Sequence, residues 1–352
     1  MLNFDEYKRQ GEPGKAEKAG IWQAAIGLQQ VDGLVPSAYL YETARENIEG
    51  KITLGEVQER LNGYYVANPA QAERTEEADK VSARIAALLS ERTFTFSPAE
   101  YITIHKRLFA GLYKFAGKIR DWNITKAEWV LNGQTVFYAS ADSIPATLDY
   151  DFAQEKAFYY KGLSTEQVVE HIAAFVSGLW QIHAFGEGNT RTTAVFAIKY
   201  LRSMSFDVTN DLFAQNSWYF RNALVRANYN DYKNGIHATL EYLNRFFENL
   251  ILGTKHQLKN RELRIGTTNE GNGTVNEGNG MVNTPSGTVN GTVFSLLQEN
   301  PRYTAEQLAA ALGKSLRTIR REIKRLKESG DIIREGSDKS GFWKILRKTD
   351  LQ

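Results

Sequence analysis

The sequence predicts a mainly α-helical protein with one β-hairpin and a small mixed domain at its C-terminus. Apolar residues recur at a 3.6-residue period over long runs between Phe4 and Arg264, a stretch with only a few prolines. One Asn-Gly flanked by β-formers interrupts the helical pattern at Trp129–Tyr138. After a Gly/Asn-rich run, helical stretches give way to two short strand-like segments near the end of the chain. These shifts divide the chain into an N-terminal helical segment (1–70), a main helical domain (71–264), a linker (265–291) and a C-terminal domain (292–352).

In the main domain, Val168, Val169, Ile172, Phe175, Val176, Leu179 and Trp180 recur at helical spacing and predict a buried amphipathic helix ending near His183. Thr192 to Leu201 reads as a second helix. The loop between them, His183-Ala184-Phe185-Gly186-Glu187-Gly188-Asn189-Thr190-Arg191, carries a base, a carboxylate, two glycines and a cation. It leads into a helix N-terminus, where unpaired N–H groups and the positive dipole end favour an anion. Gly186 and Gly188 allow tight main-chain turns and close approach to phosphate oxygens. Arg191 can add a bidentate contact, Glu187 is a hard oxygen ligand suited to Mg2+, and His183 can accept a proton near neutral pH.

This run resembles the signature of the Fic family, H-x-F-x-(D/E)-G-N-G-R-x-x-R. The resemblance implies a helical Fic fold with a β-hairpin flap. It also implies AMP transfer from ATP to a hydroxyl side chain of a target protein, with Mg2+ as cofactor. His183 would be the general base, Phe185 a core anchor and Glu187 the metal ligand. Gly186, Gly188, Asn189 and Thr190 would form the anion hole, and Arg191 would steady the outer phosphates. Two positions depart from the pattern: Thr190 replaces a third glycine, and Ala194 replaces the second arginine, removing a γ-phosphate contact and a regulatory ion-pair partner.

By the same resemblance, Val130, Leu131, Gln134, Thr135 and Val136 form a flap that aligns a target peptide by strand addition; otherwise the hairpin simply covers the core. Phe96 to Lys126, with His105, Gly117, Arg120 and Asn123, follows the family pattern into that flap, and His105 reads as a core or capping histidine rather than a catalyst. On Trp218–Leu224, Tyr219 and Asn222 either contact the nucleoside or pack in the core. Ala24–Leu61 resembles the antitoxin-like segment of many Fic proteins, whose inhibitory glutamate aligns with Asp32. With Ala194 opposite, Asp32 reads either as an unpaired inhibitory carboxylate or, with Gly33, as a helix terminator. Glu49 is a weaker inhibitory candidate.

Gly266 to Thr292 repeats Asn-Glu-Gly-Asn-Gly, which lacks the apolar area to offset chain ordering and reads as linker. Beyond it, Val293–Leu297, Thr304–Gly313 and Ser315–Leu326 read as helices, the second capped by Thr304 and closed by Gly313. Ile332–Arg334 and Phe342–Ile345 read as strands. The order resembles a winged helix-turn-helix domain. Arg317, Arg320, Arg321 and Lys324 would contact DNA phosphates if the third helix is a recognition helix; the face could equally be solvated, or the domain could bind protein.

The 352 residues carry a net charge of +2, 42% hydrophobic and 24% charged residues, as in soluble globular proteins. The last domain is the basic part, with 13 Lys and Arg against 8 Asp and Glu from Thr292 onward. Zero cysteines exclude disulfides, thiol nucleophiles and cysteine zinc sites. No run is long and apolar enough for a membrane span, and the charged N-terminus lacks a secretory signal, so a cytoplasmic protein is expected. The expected activity is protein adenylylation of a Ser, Thr or Tyr hydroxyl. Two alternatives stand beside it: a Fic enzyme that uses another phosphate-containing donor or removes AMP, and a DNA-binding regulator whose Fic domain senses a nucleotide. The target and the oligomeric state do not follow from the sequence.

Overall fold

The computed structural model describes residues 4–10, 12–206, 208, 211–266, 293, 297, 303–312, 316–328, 332–335 and 342–345. The chain divides into two compact units, Met1–Asp121 with Ala139–Asn260, and Trp122–Tyr138 with Arg261–Gln352.

The first unit is helical: α1 (Asp5–Gln10), α2 (Pro13–Gly27), a 3-10 turn at Leu28–Asp32, α3 (Ala38–Ile48), α4 (Leu54–Ala67), α5 (Pro69–Ser90), α6 (Pro98–Phe109), α7 (Ile144–Ala157), α8 (Thr165–Ile182), α9 (Asn189–Ser203), α10 (Asp211–Ala227) and α11 (Glu241–Ile251). α8 starts at a capping box, Ser164 and Gln167 each accepting the other's backbone N–H. Its apolar stripe is fully buried at Val169, Ile172, Val176, Leu179 and Trp180, while Val168 and Phe175 are half-buried. α9 is buried on every side from Asn189 to Leu201, the mark of a central helix. Around it, Phe94, Phe96, Phe152, Phe175, Phe196 and Tyr200 form an aromatic cluster. Full burial of one such ring contributes about 1.5–3 kcal/mol.

The N-terminal helices belong to this same unit. α2 approaches α10 so closely that a Cβ on Gly27 would lie 2.3 Å from the Ala214 carbonyl oxygen, so only glycine fits there. Ser217 adds a hydroxyl bond of 2.7 Å to the Gly27 carbonyl. The 3-10 turn that follows ends at Gly33, whose φ of 66° terminates it.

The second unit contains α12 (Ala305–Leu312), α13 (Leu316–Glu328) and an antiparallel pair, β1 (Ile332–Glu335) and β2 (Phe342–Ile345), in register Ile332↔Ile345 to Glu335↔Phe342. Thr304 and Gln307 make the expected N-cap, each accepting the other's backbone N–H. Leu308, Ile319, Ile323, Leu326, Ile332 and Trp343 share a core with Val293 and Leu297. Gly313 and nearly all of the Gly/Asn-rich linker lie outside the described residues.

The Trp129–Tyr138 hairpin is corrected. Its reversal is there, with Asn132 at φ 51° and Gly133 at φ 89°, but no strands flank it. Trp129–Leu131 is instead a 3-10 turn. The N–H groups of Leu131 and Asn132 go locally to the carbonyls of Glu128 and Trp129, leaving them unavailable for a ladder. Val130 and Leu131 are both buried, so the alternation a half-exposed strand needs is broken.

Candidate active site

α8 ends in a strained residue. His183 has φ 50° and ψ 55°, a left-handed conformation that costs a non-glycine residue about 1–3 kcal/mol. Arg120 helps hold it there. Its guanidinium, 2% exposed, donates from Nε to the His183 carbonyl at 2.8 Å and from Nη2 to the Ile182 carbonyl at 3.3 Å, while its backbone N–H bonds the Ala184 carbonyl at 2.9 Å. A cation on the last carbonyls of a helix is also favoured by the dipole. The His183 ring meets Trp180 edge to face at 5.3 Å.

The loop from His183 into α9 is tied by its own residues. Asn189 Oδ1 accepts from the Phe185 N–H at 3.0 Å and its Nδ2 donates to the Phe185 carbonyl at 2.7 Å. Gly188 is the N-cap of α9, with φ 79° and no side-chain cap, and a Cβ there would lie 2.3 Å from the Phe109 ring. The first turn of α9 therefore begins with backbone N–H groups and no competing cap. Thr190 uses its hydroxyl to accept from Trp180 Nε1 at 3.0 Å, so the side chain in place of the family's third glycine ties α9 to α8.

His105 lies beneath the loop, fully buried. Its ring stacks on Phe185 with centroids 3.7 Å apart and 9° between planes. Nδ1 accepts from the Gly117 N–H at 2.8 Å, so Nε2 carries the proton and donates to the Glu187 carbonyl at 3.0 Å. Burial, with Arg191 nearby, pushes its pKa down to about 3, against the pull of the Glu187 contact. The core reading of His105 holds.

Arg191 departs furthest from expectation. The side chain is 1% exposed and engaged on each guanidinium nitrogen: Nε with Asp32 at 2.8 Å, Nη1 with Gln29 Oε1 at 3.1 Å, and Nη2 with Glu77 at 2.9 Å and the Tyr113 hydroxyl at 3.4 Å. It also lies over the Phe109 ring. Burial alone would lower its pKa, but Asp32, Tyr113 and Glu77 hold it above its ordinary value. Asp32 is thus not an uncompensated carboxylate: it pairs with Arg191, and with Arg221 at 3.3 Å, while Arg221 also holds the Val31 carbonyl. Gly33 does terminate the turn, and Asp32 just before it supplies the charge. Ala194, where the family has its second arginine, is fully buried. Glu77, Gln29, Tyr113 and Arg221 carry no motif signal; their meeting is long-range.

Tyr219 and Asn222 are both buried. The Tyr219 hydroxyl donates to the Tyr242 carbonyl at 3.2 Å, and Asn222 Nδ2 donates to Asn260 Oδ1 at 2.7 Å. Both are core residues here. In the second unit, Val130, Leu131 and Val136 are buried, Thr135 is half-buried and Gln134 is exposed. Asn132 Nδ2 donates to the Ile265 carbonyl, and the Ile265 N–H bonds the Val130 carbonyl, both at 3.0 Å. Arg317, Arg320, Arg321 and Lys324 lie on the exposed side of α13, opposite Ile319, Ile323 and Leu326.

Among the described residues no three His, Cys, Asp or Glu side chains cluster as a metal site. Glu187 is a single half-exposed carboxylate beside an uncapped helix start, which fits Mg2+ bound mainly through substrate phosphates and water.

Residues 95–201 match the Fic/DOC family, and residues 292–339 match an HTH domain. The chain carries a Fic domain followed by a winged helix-turn-helix domain. A curated relative, protein adenylyltransferase VbhT of Bartonella schoenbuchensis, is 28% identical over 108 residues, 31% of this chain. The match spans about a fifth (21%) of that protein's length. Among solved structures, a Fic family protein from Desulfovibrio desulfuricans aligns over 98% of this chain and 92% of its own, at 14% identity and TM-score 0.47. BepC of Bartonella tribocorum with bound AMPPNP aligns over 56% of this chain and 85% of its own, at 19% identity and TM-score 0.38. No helix among the described residues is long and apolar enough to cross a membrane.

Proposed function

We propose that this Fic protein is a protein adenylyltransferase that transfers AMP from ATP to a Ser, Thr or Tyr hydroxyl of a target protein. The observation that carries the reading is the pairing of a held base with an anion-ready helix start: His183 lies five residues before Gly188, the N-cap without a side-chain bond. VbhT, matched over part of its length, is named a protein adenylyltransferase, which supports the same chemistry.

In the proposed reaction, His183 takes the proton of the target hydroxyl as its oxygen bonds to the α-phosphorus. The bond from that phosphorus to the β-bridging oxygen breaks, giving AMP-protein and pyrophosphate. The α9 N–H groups, the backbone at Gly186 and Gly188, and Asn189 and Thr190 receive the negative charge of the phosphates, as electrostatic preorganisation requires. Glu187 would hold Mg2+, which neutralises phosphate charge when bound. In the flap segment, the side chains of exposed Gln134 and half-buried Thr135 receive the target, and Arg317, Arg320, Arg321 and Lys324 contact DNA phosphates.

Asp32 acts as a lock in this reading. With Glu77 it occupies Arg191, the motif cation meant for the outer phosphates, so full activity requires the Leu28–Asp32 turn to yield. One observation favours a second reading: Ala194 has no charge and Arg191 is engaged, which suits a donor without a γ-phosphate, or removal of AMP. The test is incubation with Mg2+ and ATP labelled at the α-phosphate, beside His183→Ala, with mass spectrometry of the protein and added lysate. A His183-dependent gain of AMP on a hydroxyl supports transfer. ATP binding without any labelling moves the assignment to another donor, to AMP removal or to nucleotide sensing.

A further inference from the structure

We infer that His105 is a positioning residue that sets the Glu187 main chain and through it the aim of the carboxylate. The inference rests on the reading of Glu187 as the metal ligand. The imidazole spans Gly186: its face stacks on Phe185 on one side of the glycine, and its Nε2–H holds the Glu187 carbonyl on the other. Without that contact, Gly186 leaves the two positions joined only by a residue with no side chain to pack. The tautomer is dictated, because the Gly117 N–H faces Nδ1 and leaves the proton on Nε2. Gly117 is itself constrained: its φ is 74°, and a Cβ would lie 2.5 Å from Lys106 Cβ, one residue along α6. On the next residue, Gly188 packs against Phe109, one turn further along that helix. The α6 face thus fixes the loop at Phe185, Glu187 and Gly188 in succession, and His105 makes two of those contacts. A core-filling role needs the ring alone; it does not need one nitrogen to accept from Gly117 and the other to donate to Glu187.

The two nitrogens can be tested separately. In His105→Asn, Oδ1 can still accept from Gly117 but no donor reaches Glu187; in His105→Gln, Nε2 can still reach the Glu187 carbonyl. Calorimetry on the full chain measures AMPPNP affinity with and without Mn2+, and electron paramagnetic resonance reads bound Mn2+ directly. Wild type should bind AMPPNP more tightly with Mn2+. His105→Asn should lose about tenfold of that metal-dependent gain, with metal-free affinity unchanged. His105→Gln should keep the gain within about threefold, a remainder well below the usual cost of losing an outer-shell partner. Glu187→Gln sets the full loss, and adding His105→Asn to it should cost nothing more. Equal loss of metal-free and metal-dependent affinity in both His105 variants would make His105 a packing residue only, as would no loss in either. If His105→Asn does not fold, a wild-type-like metal response in His105→Gln still supports the role and its loss overturns it. A wild type that binds AMPPNP without any response to Mn2+ overturns the Glu187 reading as well.

Discussion

Two turns in this molecule pass through a non-glycine residue at nearly the same left-handed angle, φ 50° at His183 and φ 51° at Asn132. They tolerate it for different reasons. Asn132 belongs to a residue type that adopts this conformation at little cost, and its own side chain bonds Ile265 and Arg264. His183 is also a residue type enriched at this angle, but its backbone is in addition held from outside by Arg120. A turn residue explains its own conformation, whereas a strained histidine that must be gripped by a buried arginine points to use.

Breaking the external grip should have the largest effect. Arg120→Ala removes a buried guanidinium from the Ile182 and His183 carbonyls, and should cost about 3–5 kcal/mol in chemical denaturation. A loss below about 1 kcal/mol, the size of one ordinary hydrogen bond, would show that His183 needs no external hold. Asp32→Ala should come next, destabilising by about 2 kcal/mol because Arg191 keeps Glu77 and Gln29, while strengthening ATP binding as the Nε side of the motif arginine is uncovered. Unchanged nucleotide affinity in a folded Asp32→Ala would remove the lock. Asn132→Gly should be smallest, under about 1 kcal/mol, since glycine keeps the angle and only surface contacts are lost. A cost matching that of Arg120→Ala would erase the contrast between the two turns.

The same contrast explains what could be read in advance. The His183–Arg191 loop, α8, the Thr304 cap, and strands β1 and β2 follow from neighbouring residues, so pattern and capping chemistry suffice. The Asn132-Gly133 turn is local and was legible; the strands around it were not, because 3-10 bonds at Glu128–Asn132 compete with a ladder whose partner the sequence does not name. Arg191 illustrates the limit. Its partners Asp32, Glu77 and Tyr113 are separated from it by 78 to 159 positions, and three carboxylate or phenol side chains among many give no local sign that they converge. The motif pointed to Ala194 as the missing partner of Asp32, whereas the carboxylate pairs one helical turn earlier.

The central claim is a His183-dependent transfer restrained by the Asp32–Arg191 pair. Its most direct test compares AMP incorporation from α-labelled ATP in wild type, Asp32→Ala and Asp32→Ala/His183→Ala, each checked for folding by thermal denaturation. The account predicts more labelling in Asp32→Ala than in wild type, and none in the double variant. Labelling that survives without His183, or no gain when Asp32 is removed from a folded protein, would contradict it.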